Sequence, residues 1–191
     1  MNVEVAKARI GDVPAVVALV GRYARRGEVL PRPPENVYET LREWVVAKQD
    51  GQLIGCGSLV ILWADLAEIR SLVVVPEVQG VGVGRQIVCG LLAEAGRLEV
   101  PHVFALTRKP GFFAKLGFDR VARESLPRKI WKDCMHCTKF TGCDEVAVIR
   151  AVSSTAASMM GRAMEEASMS ASGDNSSPTY LILPDQPAVR R

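Results

Sequence analysis

Three glycines occupy alternate positions in Gln79-Gly80-Val81-Gly82-Val83-Gly84-Arg85, which three residues separate from the preceding branched apolar run Val73-Val74-Val75. Glycines so spaced let backbone N–H groups approach an anion, and a helix that starts there adds its dipole, so the stretch predicts a phosphate-binding turn. A hydrolytic nucleotide loop is rejected, because it needs Gly-Lys-Ser/Thr where this chain has Gly84-Arg85-Gln86. A dinucleotide fold fits poorly: it wants G-x-G-x-x-G and an acidic residue ending the next strand, and that strand here ends Ala105-Leu106-Thr107. Upstream, Glu68 in Ala67-Glu68-Ile69-Arg70 offers a carboxylate that serves as a proton acceptor if burial raises its pKa, or simply as the ion-pair partner of Arg70. Cys134, Cys137 and Cys143 form C-x-x-C-x5-C beside His136 and Asp144. Three thiolates and one nitrogen or oxygen suit zinc, but the second C-x-x-C pair of a structural zinc site is missing. A reversible disulfide and buried thiols compete with it, and no metal is assigned.

The elements that must carry these residues follow from periodicity and punctuation. VEVAKARI alternates like a strand, and Asp12 then caps a helix through VPAVVALVGRYARRG, with Val13, Val16, Val17 and Val20 at helical spacing. After the loop LPRPPEN a second helix is expected at VYETLREWV. WVVAKQDGQLIGCGSLVIL reads as two strands around an Asp50-Gly51 turn. AEIRSLVVVP is a buried central strand, followed by a helix whose inner face is Ile87, Leu91, Leu92 and Ala95. HVFAL is a short strand, and TRKPGFFAKLGF a loop and short helix stopped at Gly117. The last strands flank the cysteine-bearing loop. Beyond residue 151 the chain turns rich in Ser, Ala and Met, so residues 1–151 are read as one domain and 152–191 as a flexible tail.

The 191 residues suit a single domain, and 24 basic against 21 acidic residues, dispersed, give a net charge of +3 that does not suggest nucleic acid. No leader-like N-terminus and no long apolar stretch occur, so membrane is excluded and a cytoplasmic protein expected. Five cysteines, an odd number, argue against a secreted disulfide framework.

Hairpin, long strand, Q-x-x-G-x-G, helix, short strand and F-F-x-x-x-G-F, in that order, resemble the GNAT acetyltransferase superfamily over nearly all of residues 1–150. The resemblance implies an α/β (α+β) fold: a mixed, largely antiparallel sheet flanked by helices and opened at one point for acetyl-CoA, the co-substrate. It implies that the amides of Gln79, Gly80, Val81, Gly82, Val83, Gly84 and Arg85 hold the pyrophosphate, and that Val73, Val74 and Val75 pair with the pantetheine arm. Glu68 matches the family's strand carboxylate, and a backbone N–H near Val73 or Val74 polarises the thioester. Relatives carry a general-acid tyrosine where this chain has Phe112 and Phe113, which are expected along the coenzyme arm or in the core; Tyr23, Tyr38 and Tyr180 do not lie at the matching place. LPRKIWKDCMHCTKF and FALTRKPGFFAKLGF further resemble the acetyltransferase domain of short bacterial N-acetylglutamate synthases. That resemblance implies a small amino acid, glutamate or glutamine, as partner, with Arg32, Arg70, Ser71, Thr107 and Lys129 as substrate-binding candidates. Arg32 is the family's carboxylate-binding position, and planar guanidinium forks suit carboxylates. A homodimer, a different small amine or protein N-terminus as acceptor, and a non-catalytic acyl-CoA-binding module stay open.

Overall fold

A computed structural model describes residues 3–126 and 143–152. Lys129, Cys134, Cys137 and His136, and the expected tail beyond Val152, lie outside the described residues. Seven strands form one sheet: β1 (Val3–Lys7), β2 (Trp44–Gln49), β3 (Gln52–Trp63), β4 (Leu66–Val74), β5 (His102–Thr107), β6 (Asp119–Val121) and β7 (Val146–Ala151). Their spatial order is β1-β2-β3-β4-β5-β7-β6, and every neighbouring pair is antiparallel except β4 and β5. The helices are α1 (Val13–Ala24), α2 (Pro34–Glu39), α3 (Val83–Arg97) and α4 (Pro110–Ala114). This is the mixed, largely antiparallel architecture expected from the sequence.

The β2–β3 hairpin turns where Asp50 and Gly51 both take positive φ, 51° and 77°, the backbone that matches the twist of its two strands. One sheet face packs on α3: Ile87, Leu91 and Ala95, fully buried, meet Val45, Leu59, Ala67, Ile69 and Val103. The other face carries α1, whose Val13, Val16 and Val20 close over Trp44, Val46, Cys56 and Val73. The inner faces predicted for both helices are therefore the ones buried.

Two local expectations differ. The second helix ends at Glu39 instead of running through Val45, and a short 3-10 turn, Leu41–Glu43, leads into β2 at Trp44. Tertiary pairing wins here: Trp44 is 1% exposed among the α1 side chains and donates its indole N–H to Thr40 Oγ1 at 3.1 Å, while Val45 and Val46 pair with β3. Asp12 occupies the position before α1 but makes no side-chain cap bond. Its Oδ2 accepts the Arg9 backbone N–H at 2.9 Å and its Oδ1 lies 2.6 Å from Lys48 Nζ, so it ties the helix start to β2 instead.

Candidate active site

The strand that carries Glu68 is interrupted at Ser71. Cys56 pairs with Val73 and Ser58 with Arg70, so β4 spends one more residue than β3 over this interval, a β-bulge. Ser71 sits at φ 51°, a left-handed conformation uncommon for a residue with a side chain. The bulge exchanges the faces. Before it, Ala67 and Ile69 pack toward α3; after it, Leu72 and Val74 do, and Val73 turns to α1.

The same strand parts from its parallel neighbour. β4 and β5 pair only at Leu66–His102, Ala67–Val103 and Glu68–Phe104, after which β5 continues against β7. A cleft of about 830 Å³ opens along the parted edge, bordered by β4, the end of β5, α4, the glycine turn and the connection between α1 and α2. The bond from Val75 N–H to Ile54 O makes Gly55–Val74 a non-hydrogen-bonded pair, so the N–H and C=O of Val74 point away from β3 toward the gap. The neighbouring Val73 pairs with Cys56 of β3, and Val75 sends its N–H to Ile54 O while its carbonyl accepts the Val78 N–H at 3.2 Å. Of the three valines singled out in the sequence, Val74 alone presents its backbone to the cleft.

At the closed end of the cleft, Glu68 is 7% exposed and its Oε2 accepts a bond from Arg70 Nε at 2.5 Å. Arg32, from the α1–α2 connection, directs Nε to Ser71 Oγ at 3.4 Å, which brings it beside the bulge. Glu43, which the sequence reading passed over, faces both arginines; burial raises its carboxyl above the usual value, and Arg70, Arg32 and Lys7 only partly oppose that. Thr107 also lines the cleft, and its Oγ1 accepts the Lys109 N–H at 2.9 Å at the entry to α4.

At the open end, Gly80 and Gly82 take φ of 83° and 97°, and a Cβ on either would meet nothing within 4 Å. Backbone conformation, and not crowding, requires glycine there. Gly82 precedes the first turn of α3, so the turn amides and the helix N-terminus converge as an anion site should. At Gly84 neither reason applies: a Cβ there would lie 3.4 Å from Phe112 Cζ, an ordinary contact distance, which shows only that α4 packs close to the start of α3. Phe112 lines the cleft, whereas Phe113, 4% exposed, belongs to the core and stacks edge-on with Phe112 and Phe118, both at 5.1 Å. Val81 is 60% exposed at the tip of the turn, and Val83 is buried under it. Arg85 lines the cleft.

Two further cleft residues carry polar groups, Tyr23, which the sequence set aside as a general acid, and Arg108, to which it gave no role. Tyr23 lies on the buried face of α1, and its hydroxyl donates to Val74 O at 2.5 Å. Arg108 donates Nη2 to Gly27 O at 2.7 Å, reaching from the β5–α4 connection to the α1–α2 connection. Among the described residues no group of three or more His, Cys, Asp or Glu could hold a metal ion. Cys143 lies 3.8 Å from Glu145 Oε2. Cys56 is fully buried, and burial pushes its thiol up, which makes it a poor nucleophile.

Residues 40–120 match the family described as Acetyltransferase (GNAT) domain. An uncharacterized N-acetyltransferase of Chlorobaculum tepidum is 39% identical over 146 residues, 76% of this chain and 94% of that protein. The chain belongs to the GNAT acetyltransferase family. The amino-acid acetyltransferase of Mycobacterium tuberculosis is 42% identical over 120 residues, 61% of this chain and 68% of that protein. Among solved structures, the N-acetylglutamate synthase from Neisseria gonorrhoeae, complexed with coenzyme A and N-acetyl-glutamate, superposes with a TM-score of 0.72 at 27% identity. That superposition covers 80% of this GNAT chain and 36% of the Neisseria chain, so the chain spans only about a third of that protein's length. No helix among the described residues is long and apolar enough to cross a membrane.

Proposed function

We propose that this GNAT acetyltransferase moves the acetyl group of acetyl-CoA to the α-amine of a small acidic amino acid, glutamate first and glutamine second. The observation that carries the reading is Arg32 set against Ser71 at the β4 bulge, in the same cleft as the glycine turn. A guanidinium fork there suits an acceptor carboxylate, and Arg70 and Arg108 line the same cleft. Similarity to the Mycobacterium and Neisseria proteins supports the acceptor class. The same reading assigns the chain to the first step of arginine biosynthesis.

The chemistry asks little more than placement. Held side by side, amine and thioester react as an intramolecular pair, and the turn amides and Val74 fix the donor end. The N–H of Val74, turned into the gap, donates to the carbonyl oxygen as charge develops on it. The amine nitrogen attacks the carbonyl carbon, its proton passes to Glu68 directly or through water, and the C–S bond breaks. Thiols are far stronger acids than amines or alcohols, about 8.5 for a cysteine side chain, so a thiolate leaves with less need of a proton donor. That makes phenylalanine at positions 112 and 113 compatible with turnover.

The test is release of coenzyme A thiol on titrating glutamate, glutamine and other amino acids, with mass spectrometry of the acetylated product. One thiol per N-acetylglutamate is the expected result. No thiol release with any amino acid would sink the acceptor class, and coenzyme A affinity with no turnover on any amine would mark a binding module.

A further inference from the structure

The Tyr23 hydroxyl has no part in the chemistry above, yet it is the most constrained polar group of α1. Tyr23 is 5% exposed, and a phenylalanine would fill the same apolar space among Val16, Val20 and Val73. Its hydroxyl donates to Val74 O at 2.5 Å and accepts from Gln79 Nε2 at 3.3 Å. Gln79 Nε2 also donates to Val74 O at 2.8 Å, which closes a triangle of three groups. Its corners come from three elements: α1, the end of β4, and the first residue of the glycine turn. The guanidinium of Arg26 covers the Tyr23 ring at 5.6 Å, which fixes the ring from the other side.

We propose that Tyr23 is a positioning residue for the coenzyme, acting through Gln79 and Val74. Gln79 is where the backbone leaves the 3-10 turn Pro76–Val78 in an extended conformation and enters Gly80 at positive φ. A turn of exposed amides with two positive-φ glycines has many conformations open to it in the absence of an anion. Anchoring the Gln79 side chain to a carbonyl of the sheet removes much of that freedom before the ligand arrives, and preorganisation of this kind raises affinity without a contact to the ligand. The carbonyl chosen is the one that the register turns toward the gap. The triangle thus couples the strand edge beside the acyl arm to the turn that holds the pyrophosphate.

The inference rests on the coenzyme lying along Val74 and the glycine turn, and the test separates the two. Coenzyme A binding to the wild-type chain, measured by calorimetry, checks the site itself; the variants check Tyr23. Tyr23→Phe should raise the coenzyme A Kd by about two- to tenfold, the range of one net hydrogen bond. The affinity for pantetheine, which lacks the pyrophosphate, should not change when followed by NMR at millimolar concentrations. Gln79→Ala should produce a loss of the same order, and the Tyr23→Phe/Gln79→Ala double variant no more than the worse single variant. Equal weakening of coenzyme A and pantetheine, fully additive losses, or an unchanged coenzyme A Kd would each overturn the role, whatever happens to the melting temperature.

Discussion

At the scale of single residues, Glu68, Arg70 and Arg32 line the cleft together, and the two arginines also act on the carboxyl of Glu43. Glu68 is buried and accepts a bond from Arg70 Nε; Glu43 is pushed toward its neutral form by burial. If Glu68 takes the amine proton, Glu68→Gln lowers kcat by about a hundredfold or more and leaves the acetyl-CoA KM in place, because proton transfer of this kind contributes on the order of 10² to 10⁴. Steady-state thiol release checks this, and a drop in melting temperature at unchanged kcat would reduce the residue to an ion-pair partner. Arg32→Ala should raise the acceptor KM far more than the acetyl-CoA KM, since its guanidinium points at the bulge and not at the glycine turn. Glu43 supplies a pH-dependent stability with a definite sign. A carboxyl whose folded pKa is raised contributes stability that is fully present below its ordinary value of 4.5 and lost as the pH rises through the folded value. Glu43→Gln removes that loss, so in thermal melts the variant should gain on the wild type as pH rises from below 4.5 to neutrality and show no relative gain below it.

At the scale of elements, the bulge at Ser71 decides which backbone groups and side chains the cleft receives. Without it, Val73 would continue the face of Ala67 and Ile69, and Val74 the face of Glu68 and Arg70. Ser71→Val should cost about 1–2 kcal/mol, because a β-branched side chain resists the left-handed φ that Ser71 adopts. Ser71→Gly should fold normally, while raising the acceptor KM through loss of the Oγ beside Arg32; melting curves and kinetics separate the two substitutions. This is also where legibility in the sequence stops. The Asp50-Gly51 hairpin, the inner face of α3 and the glycine turn were readable because each is encoded within about a dozen consecutive residues, by turn chemistry or by period. The bulge was not: Ile69-Arg70-Ser71-Leu72-Val73 contains no glycine to flag it, and it exists only as a mismatch of register between β3 and β4. The end of α2 and the task of Asp12 escaped for the same reason, since Trp44 and Lys48, which settle them, act from β2. Tyr23 was set aside as a general acid, with nothing local to show that its hydroxyl reaches Val74.

At the scale of the whole molecule, the cleft is a gap that the fold must hold open on one face and closed on the other. On the α3 face a continuous apolar cluster runs from β2 across to β7, through Val45, Leu59, Ile69, Val103 and Val148. The opposite face has two clusters, one under α1 and one around Leu66, Phe104, Leu126 and Ala147, and Glu68 and Arg70 share that face of β4. Burial therefore fastens the two halves of the sheet from below, and leaves polar links to span the gap above. Arg108 provides one, donating to Gly27 O from the far side, with its Nη1 also 3.8 Å from Asp144 Oδ2. A partly exposed link of this kind contributes about 1 kcal/mol or less to global stability, because water competes for both partners. Its effect on local opening is larger, since the α1–α2 connection has no helix or strand of its own between Ala24 and Pro34. Arg108→Ala should accordingly leave the melting temperature nearly unchanged and speed amide hydrogen exchange over residues 25–32, with exchange in α3 unaltered. The acceptor KM should rise with it, because that connection carries Arg32 into the cleft. Faster exchange in α3 as well would mean that the link supports the core and not the cleft, and an unchanged segment 25–32 would show that the connection is held without it.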